Sequence, residues 1–394
     1  MNILFDQTMA QAKFYTGAAE YAQSVFTQML STMKAYPDVR LYSLYSSAYK
    51  FRYETFCPDR LKEYDRVVSV DYHGKTLKQV IKENEIDLLF VTCAQWFCVL
   101  PLGDLSKLGC KVVVVIHDLC DEELQSSKIE YTHYIRHPWQ FMRNCFSRIK
   151  GRIKSVLIKS QKDLMRKLIE ENDTDIITVS DYSKNSIEYF YPSYSKKIHV
   201  YYSPMKVCPE GKSEIDNETL RNMIREGKKY FLLLSADRIT KNGERMLNAF
   251  RRYVENTGSD ALIVTTGYQK SLFKQHVALS YLSSSDVDNA FRHCHALLYP
   301  SFFEGFGYPP VEAMRFDKPV LSSNVCSMPE ILEDAPIYFS PIYESSIYKA
   351  LQLFTASDYS TLQKTVREQY KKIAERQQSD LQQLAIAMLN GSFI

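Results

Sequence analysis

Short apolar runs, several of them rich in β-branched residues, recur along the chain and are separated by helical-looking segments. In the first half these runs are 2–5, 39–46, 86–92, 111–117, 175–180 and 197–203, and in the second half they are 230–236, 261–267, 296–301, 319–323 and 336–340. Strands that alternate with helices form parallel sheets, so the pattern predicts an α/β protein with two Rossmann-like, doubly wound domains.

A polar stretch from Ser203 to Thr219 interrupts this pattern near the middle of the chain. It contains two prolines and no periodic apolar face, as is typical of a domain boundary. A chain of 394 residues is too long for one compact core. We therefore predict an N-terminal domain over 1–206 and a second domain over 207–375. Ligands bind beyond the carboxyl ends of the strands in such sheets, so we expect the site in the cleft between the domains.

The bulk composition excludes several classes of protein. A net charge of only +3 argues against a chain that binds nucleic acid by its overall charge. The apolar runs have strand length, and the first residues lack the basic start and apolar core of a secretory signal. Nine scattered cysteines without a CxxC pair favour reduced thiols. We therefore expect a cytoplasmic protein.

The stretch SFFEGFGYPPVEAM carries two glutamates, Glu304 and Glu312, around a glycine turn and two prolines. It follows a buried run, and prolines suit the first turn of a helix, so the order strand, turn, helix is predicted. The amino end of a helix favours an anion, while carboxylates only accept hydrogen bonds and therefore suit sugar hydroxyls. A nucleotide sugar offers a diphosphate between two sugar rings. Taken singly, each glutamate has an ordinary explanation: Glu312 complements the helix dipole, and Glu304 is solvated.

EGFGYPPVEAM, followed by KPVLSSNVCSMPEIL, resembles the signature of glycosyltransferase family 4, a family of retaining "group 1" enzymes with the GT-B fold. The signature is a glutamate, seven residues and a second glutamate, here Glu304 and Glu312. The resemblance continues in TGAAEYAQ (16–23), VVVVIHDL (112–119), DIITVSDYSKNSI (175–187), LLLSADRITKNGERMLNAF (232–250) and SYLSSSDVDNAFRHCHALLYPS (280–301). It implies an acceptor-binding first domain, a donor-binding second domain and a C-terminal helix, 376–394, that packs back on the first.

In the second domain the resemblance implies a site for the sugars of the donor. Glu304 and the backbone of Gly305, Phe306 and Gly307 would hold the transferred sugar. Glu312 would hold the ribose.

The resemblance also implies that Lys241, with Arg238, neutralises the donor diphosphate. Both residues follow a buried run and precede the helical segment GERMLNAF, which places them at the carboxyl end of a strand. A solvated basic pair at a helix start is the ordinary alternative, but the positive end of a helix disfavours cations there.

In the first domain the resemblance implies that His117 faces the reacting sugar, and that Thr16 and Gly17 line the cleft near the phosphates or the acceptor. His117 ends a strongly apolar run and precedes Asp118. A histidine in such a place is either a structural hydrogen-bonding residue or a functional one.

Metal-binding patterns are present but weak. His293 and His295 flank Cys294, yet we predict a helix end there, and residues i and i+2 do not share a helix face. The triplets at 173–175 and 286–288 fit the DxD motif of metal–diphosphate sites, but one precedes a strand and the other lies in a predicted helix. We predict no metal, and no cofactor besides the nucleotide-sugar co-substrate.

Two residues depart from the glycines that are usual in the family. Ser235 stands before the phosphate-binding loop, and Asp317 stands in RFDKPV. Aspartate tolerates the left-handed backbone conformation better than most residues, so the second turn should survive. The spacing of Arg238 also differs slightly from that of the usual family arginine.

The segment 136–167 holds ten lysines or arginines and one acidic residue, with apolar residues three or four apart. It suits an anionic membrane surface, and equally a solvated basic face on a domain surface. Family relatives act on lipid-linked acceptors, which favours the membrane. RNA is disfavoured because aromatic residues are not interleaved for stacking.

The prediction is therefore a retaining hexosyltransferase. It would move a hexose from a nucleoside diphosphate sugar, GDP-mannose or a UDP-sugar, to a glycan or lipid-linked saccharide in surface polysaccharide biosynthesis, as in capsule, O-antigen or lipopolysaccharide. We expect it in the cytoplasm, peripheral on the cytoplasmic face of the membrane. The alternatives are a sugar-nucleotide epimerase with the GT-B fold, a phosphorylase, and a non-catalytic glycan-binding homologue.

Overall fold

The computed structural model describes residues 1–11, 17–51, 56–126, 161–206 and 214–393, and the chain divides into two compact units. The first unit comprises Met1–Val207 together with Gln377–Ile394. The second unit comprises Cys208–Arg376.

The first unit is built on short strands that coincide with the apolar runs. Its described strands are β1 (Asn2–Asp6), β2 (Arg40–Tyr45), β3 (Val67–Asp71), β4 (Leu88–Val91), β5 (Lys111–Val115), β6 (Thr174–Thr178) and β7 (Ile198–Val200). All are parallel, in the order β3-β2-β1-β4-β5-β6-β7. The order reverses between β1 and β4, as in a doubly wound sheet.

Helices connect these strands, since parallel neighbours need crossovers. They are α1 (Gly17–Thr32), α2 (Pro58–Leu61), α3 (Leu77–Glu83), α4 (Ala94–Phe97), α5 (Cys120–Ser126), α6 (161–170) and α7 (Asp181–Phe190). Phe5 of β1 meets Phe26 of α1 and Phe90 of β4 edge to face, at centroid distances of 4.9 and 5.2 Å. The core therefore forms where the apolar face of α1 covers the centre of the sheet.

The second unit repeats this plan. Its described strands are β8 (Tyr230–Leu233), β9 (Leu262–Thr266), β10 (His276–Leu279), β11 (Ala296–Tyr299), β12 (Val320–Ser323) and β13 (Ile337–Phe339). All are parallel, in the order β10-β9-β8-β11-β12-β13, and the order reverses between β8 and β11.

Seven helices belong to the described part of the second unit or begin there. They are α8 (Glu218–Arg225), α9 (Gly243–Thr257), α10 (Ser284–His293), α11 (Tyr308–Arg315), α12 (Met328–Leu332), α13 (Glu344–Ala356) and α14 (Tyr359–Asn390). Met246, Leu247, Phe250 and Val254 form the buried face of α9, as its periodicity predicts. This face packs against a core that strands of the second sheet and the helix α13 form together.

The long helix α14 begins in the second unit and ends in the first. Within the first unit, Gln377 Nε2 donates a hydrogen bond to Ser203 O at 2.5 Å. The backbone N–H of Tyr202 donates to Asp380 Oδ2 at 2.7 Å. The end of α14 is thus tied to the stretch that follows β7, in accordance with the predicted return of the C-terminal helix.

The predicted fold class is confirmed, and the structure adds two strands that the apolar runs did not indicate. These are β3 and β10, and each lies at the edge of its sheet. An edge strand is covered on fewer sides: β3 has a single buried residue, Val70, and the two middle residues of β10, Val277 and Ala278, are only partly buried. Neither strand therefore needs the continuous apolar run of a central parallel strand.

Two non-glycine residues hold the left-handed conformation at positions where the resemblance leads us to expect glycine. Ser235 has φ +52° and Asp317 has φ +56°. The prediction that Asp317 preserves its turn is confirmed. Asp317 also accepts two hydrogen bonds from the guanidinium of Arg367, at 3.0 and 2.8 Å.

Candidate functional site

The loops that follow β8 and β11 lie at the point where the strand order of the second sheet reverses. Connections leave a doubly wound sheet in opposite directions at such a point, which opens a crevice beyond the carboxyl ends of the two strands. The loop after β8 carries Arg238 and Lys241, and the loop after β11 carries Glu304. The strand order therefore brings the predicted cations, Arg238 and Lys241, and the predicted carboxylate of Glu304 to the same edge of the sheet.

The loop after β11 is the strand, turn and helix that the sequence predicts. Gly307 caps α11 with φ +87°, and Pro309 and Pro310 occupy the first turn of that helix. A side chain at Gly307 would place its Cβ 2.3 Å from Met328 Cε. Glycine is favoured here because the position combines a left-handed φ with a close neighbour.

Glu304 forms the central contact of this edge. Its Oε1 lies 2.5 Å from Lys241 Nζ, and the two side chains are only 15% and 12% exposed. The backbone carbonyl of Glu304 accepts a hydrogen bond from Ser327 Oγ at 3.0 Å. Both the carboxylate and the backbone of Glu304 are thereby held in place.

Tyr299, the last residue of β11, completes the group. Lys241 Nζ donates to its hydroxyl at 3.0 Å and lies 4.7 Å from the centre of its ring. Tyr299 is buried, and desolvation raises its pKa well above the usual value, assisted by the charge of Glu304 and a hydrogen bond to it. The phenol therefore stays protonated, and it accepts the hydrogen bond from Lys241 beside the carboxylate of Glu304.

Asn242 fixes the loop that carries Lys241. It has φ +53° and is buried, and its Nδ2 donates to Pro300 O at 3.2 Å and to Pro341 O at 2.8 Å. The backbone N–H of Phe302 donates to Thr240 O at 2.8 Å. The loops after β8 and β11 are therefore joined by backbone and side-chain bonds on both sides of Lys241.

The remaining predicted residues of the second unit lie on the same two loops and the following helix. Arg238 is exposed, and its carbonyl accepts from the N–H of Lys241 at 2.9 Å. Gly305 and Phe306 are buried within the turn. Glu312 lies in α11 and is half-buried.

In the first unit, His117 follows β5. Its Nε2 lies 2.9 Å from Thr92 O, and its ring meets Tyr21 edge to face at 4.9 Å. Burial lowers the pKa of His117 to about 4. The neutral ring must donate from Nε2, because a carbonyl oxygen only accepts, and its Nδ1 therefore keeps a lone pair. Gly17 is the first residue of α1, and Thr16 lies outside the described residues.

The sequence did not single out Tyr299 or the pairing of Glu304 with Lys241. Tyr299 was part of the buried run 296–301 and looked like any core residue. The available signal was its phenol, since a buried tyrosine hydroxyl requires a polar partner.

The weak metal patterns have structural roles where they are described. The helix end predicted at His293 is confirmed, and His295 stacks on Tyr359 at 4.8 Å. In the 286–288 triplet, Asp286 is buried and accepts the N–H of Asp216 at 2.8 Å. In the 173–175 triplet, Asp175 pairs with Lys111 at 3.0 Å and Lys196 at 3.1 Å.

The basic segment 136–167 lies outside the described residues except for 161–167, which belongs to α6. Within the described part of the chain, no helix is both long enough and apolar enough to traverse a bilayer.

Residues 215–371 match the family model of glycosyl transferases group 1. Two curated relatives agree with that match. The O-antigen chain mannosyltransferase RfbU of Salmonella typhimurium is 28% identical over 186 residues, which are 45% of this chain and 50% of that protein. The O-antigen chain mannosyltransferase B of Escherichia coli is 41% identical over 63 residues, 16% of each chain. This chain thus matches half or less of the length of these relatives.

Two solved structures share the fold over nearly the whole chain. WaaG, a glycosyltransferase involved in lipopolysaccharide biosynthesis, has a TM-score of 0.61 at 17% identity and is aligned over 98% of both chains. Anabaena HepE in complex with UDP and glucose has a TM-score of 0.62 at 14% identity, over 99% of this chain and 100% of that one. The chain has the GT-B fold, and the match to the family model lies within its second unit.

Proposed function

We propose, from the match of the second unit to the group 1 glycosyl transferases, that the protein is a retaining glycosyltransferase of family 4. It transfers a hexose from a nucleoside diphosphate sugar to a hydroxyl of a saccharide acceptor. The observation that carries the proposal is the meeting of Lys241 and Glu304 where the strand order of the second sheet reverses. A cation for a diphosphate and an acceptor for sugar hydroxyls lie side by side there.

The donor diphosphate is bound by charge. Lys241 and Arg238 supply cations, and the amino end of α11 adds the positive end of its dipole. Negative charge grows on the diphosphate as the sugar leaves, and groups that are already in place stabilise it without reorganisation.

The two sugar rings of the donor are bound by carboxylates. Glu304 accepts hydrogen bonds from the hydroxyls of the transferred sugar, beside the backbone of Gly305, Phe306 and Gly307. Glu312 accepts hydrogen bonds from the ribose. In the first unit, the lone pair on His117 Nδ1 accepts a hydrogen bond from the reacting sugar, and Thr16 and Gly17 contact the acceptor or the phosphates.

The chemical step is a front-face displacement. The acceptor oxygen bonds to the anomeric carbon from the face on which the bond to the diphosphate oxygen breaks, and the acceptor proton passes to that leaving oxygen. The anomeric configuration of the donor is therefore kept. No metal ion takes part in the proposed reaction.

The substrates follow from the relatives. Two O-antigen chain mannosyltransferases among them favour GDP-mannose as donor, and HepE with UDP keeps a UDP-sugar as the alternative. The acceptor is a glycan or a lipid-linked saccharide of a surface polysaccharide such as O-antigen. The enzyme then works on the cytoplasmic side of the membrane, with 136–167 at the lipid surface.

The test is a thermal-shift screen of GDP-mannose, UDP-glucose and the free nucleotides against the full chain. A ligand at a hundred times its Kd stabilises the protein by about 2.7 kcal/mol, enough to identify the base and the sugar. Glu304→Ala should abolish transfer and keep nucleotide binding, and a chelator should leave transfer intact. A screen without a nucleotide hit, or full turnover by Glu304→Ala, would contradict the proposal.

A further inference from the structure

Lys241 carries a single positive charge, and Glu304 neutralises that charge in the structure. The proposed function assigns it to the donor diphosphate, yet in the structure its Nζ lies 2.5 Å from Glu304 and is nearly buried. An ammonium group removed from water needs a partner anion, and Glu304 is that partner when no donor is bound. Any diphosphate that reaches Lys241 must therefore compete with Glu304.

Tyr299 limits how far Lys241 can move during this exchange. The phenol accepts from Nζ at 3.0 Å while the ring faces the ammonium at 4.7 Å. Tyr299 is itself fixed in β11, whose backbone pairs with β8 and β12. The lysine can change its anion while it keeps the same hydroxyl and the same aromatic face.

We propose that Glu304 competes with the diphosphate for Lys241, so that departure of the transferred sugar frees Glu304 to promote release of the nucleoside diphosphate product. Tyr299 is the positioning residue that holds Lys241 for both partners. The inference rests on the proposed function and adds a second role to Glu304. While the sugar is present, its hydroxyls occupy the carboxylate; once the sugar has left, the carboxylate returns to the lysine.

If this exchange takes place, one substitution at Glu304 should have opposite effects on the binding of the nucleoside diphosphate product and on the binding of the sugar of the donor. Glu304→Gln removes the competing charge and the repulsion between carboxylate and diphosphate, so the variant should bind GDP or UDP tighter by about fivefold or more. The same variant loses the carboxylate that binds the sugar, so the additional affinity of the nucleotide sugar over the free nucleotide should fall. If the ion pair had only a structural role, Glu304→Gln would instead weaken the binding of the free nucleotide and of the nucleotide sugar together.

The experiment is isothermal titration calorimetry of the full chain with GDP, UDP and the corresponding nucleotide sugars. Glu333→Gln is the matched control, since it removes the same charge from an exposed pair with Lys372 (2.9 Å) in the same unit. Glu304→Asp, which keeps the charge and shortens the side chain, provides a second measurement should the glutamine variant fold poorly. It should bind the free nucleotide with an affinity between those of the wild type and Glu304→Gln.

The role of Tyr299 is tested in the same titrations. Tyr299→Phe keeps the ring and loses the hydroxyl, so the affinity for the free nucleotide should fall about threefold to tenfold. Tyr230→Phe is its control, because the hydroxyl of this other buried tyrosine bonds to Ala290 O at 2.8 Å. Equal effects of the two variants would remove the positioning role.

Two further results separate the inference from the proposed function. Equal or weaker binding of the free nucleotide by both Glu304 variants, with normal binding by the wild type, would overturn the competition and leave the glycosyltransferase proposal intact. Failure of every form to bind any of the four ligands would overturn the proposed function, and the inference with it.

Discussion

Gly307→Ala tests whether the turn between the two glutamates depends on glycine for its conformation, for space, or for both. Gly307 has φ +87°, and a left-handed conformation costs a residue with a Cβ about 1–2 kcal/mol. The new Cβ would lie 2.3 Å from Met328 Cε, well inside a normal contact of about 3.5–4 Å. Met328 is fully buried, and such overpacking costs about 1–3 kcal/mol. Alanine also restricts the unfolded chain, which raises the free energy of unfolding by about 0.4–1 kcal/mol. The net loss in the free energy of unfolding should therefore be about 2–3 kcal/mol.

Gly258→Ala is the matched control for the conformational part. Gly258 also has a positive φ, +67°, and caps the end of α9, but a Cβ there meets nothing within 4 Å. Its loss should be about 0.5–1 kcal/mol, from the same left-handed cost and the same unfolded-state gain. The difference between the two variants then measures the contact with Met328.

The assay is thermal unfolding of both variants and the wild type by calorimetry. Each kcal/mol moves Tm by about 2–4 °C for a unit of this size, so Gly307→Ala should lower Tm by about 5–10 °C and Gly258→Ala by about 2 °C. Equal losses would show that Met328 imposes no steric limit. An unchanged Tm for Gly307→Ala would refute the requirement for glycine altogether.

Three further predictions concern charge, titration and backbone strain. Lys241→Met leaves Glu304 buried without its partner and should cost about 3 kcal/mol in urea unfolding, while the double variant with Glu304→Leu should recover most of that loss; a double variant that is no more stable than the single one would contradict this. Burial lowers the pKa of His276 to about 4, so the unfolded chain binds the proton first as the pH falls. The contribution of His276 should thus be present above pH 6.5 and fall by about 2 kcal/mol between pH 7 and 4.5, and that part of the pH dependence should be absent in His276→Gln. Ser235→Gly should leave stability within about 0.5 kcal/mol, because relief of the left-handed cost offsets the greater freedom of glycine in the unfolded chain, whereas Ser235→Val should cost about 2 kcal/mol by the same unfolding assay.

The local pattern of apolar residues was sufficient to predict the central strands of both sheets. Runs such as 111–117 and 230–236 became parallel strands because a strand buried on both faces must be apolar along its whole length. The edge strands β3 and β10 could not be predicted in this way, because a partly exposed strand does not need a continuous run of apolar residues. The turn before α11 was predictable from Gly307 and its two prolines, because these residue types restrict the backbone directly.

The sequence by itself thus determined the elements, the capped turn around Gly307, and which charged residues stand at the carboxyl ends of strands. Only the tertiary structure decided that Lys241 and Glu304, 63 positions apart, form a nearly buried ion pair beside Tyr299. The physical reason is the strand order, which makes β8 and β11 neighbours although two strands lie between them along the chain. Pattern within a segment reports its own burial, but the partner of a buried charge is set by the segments that the sheet brings beside it.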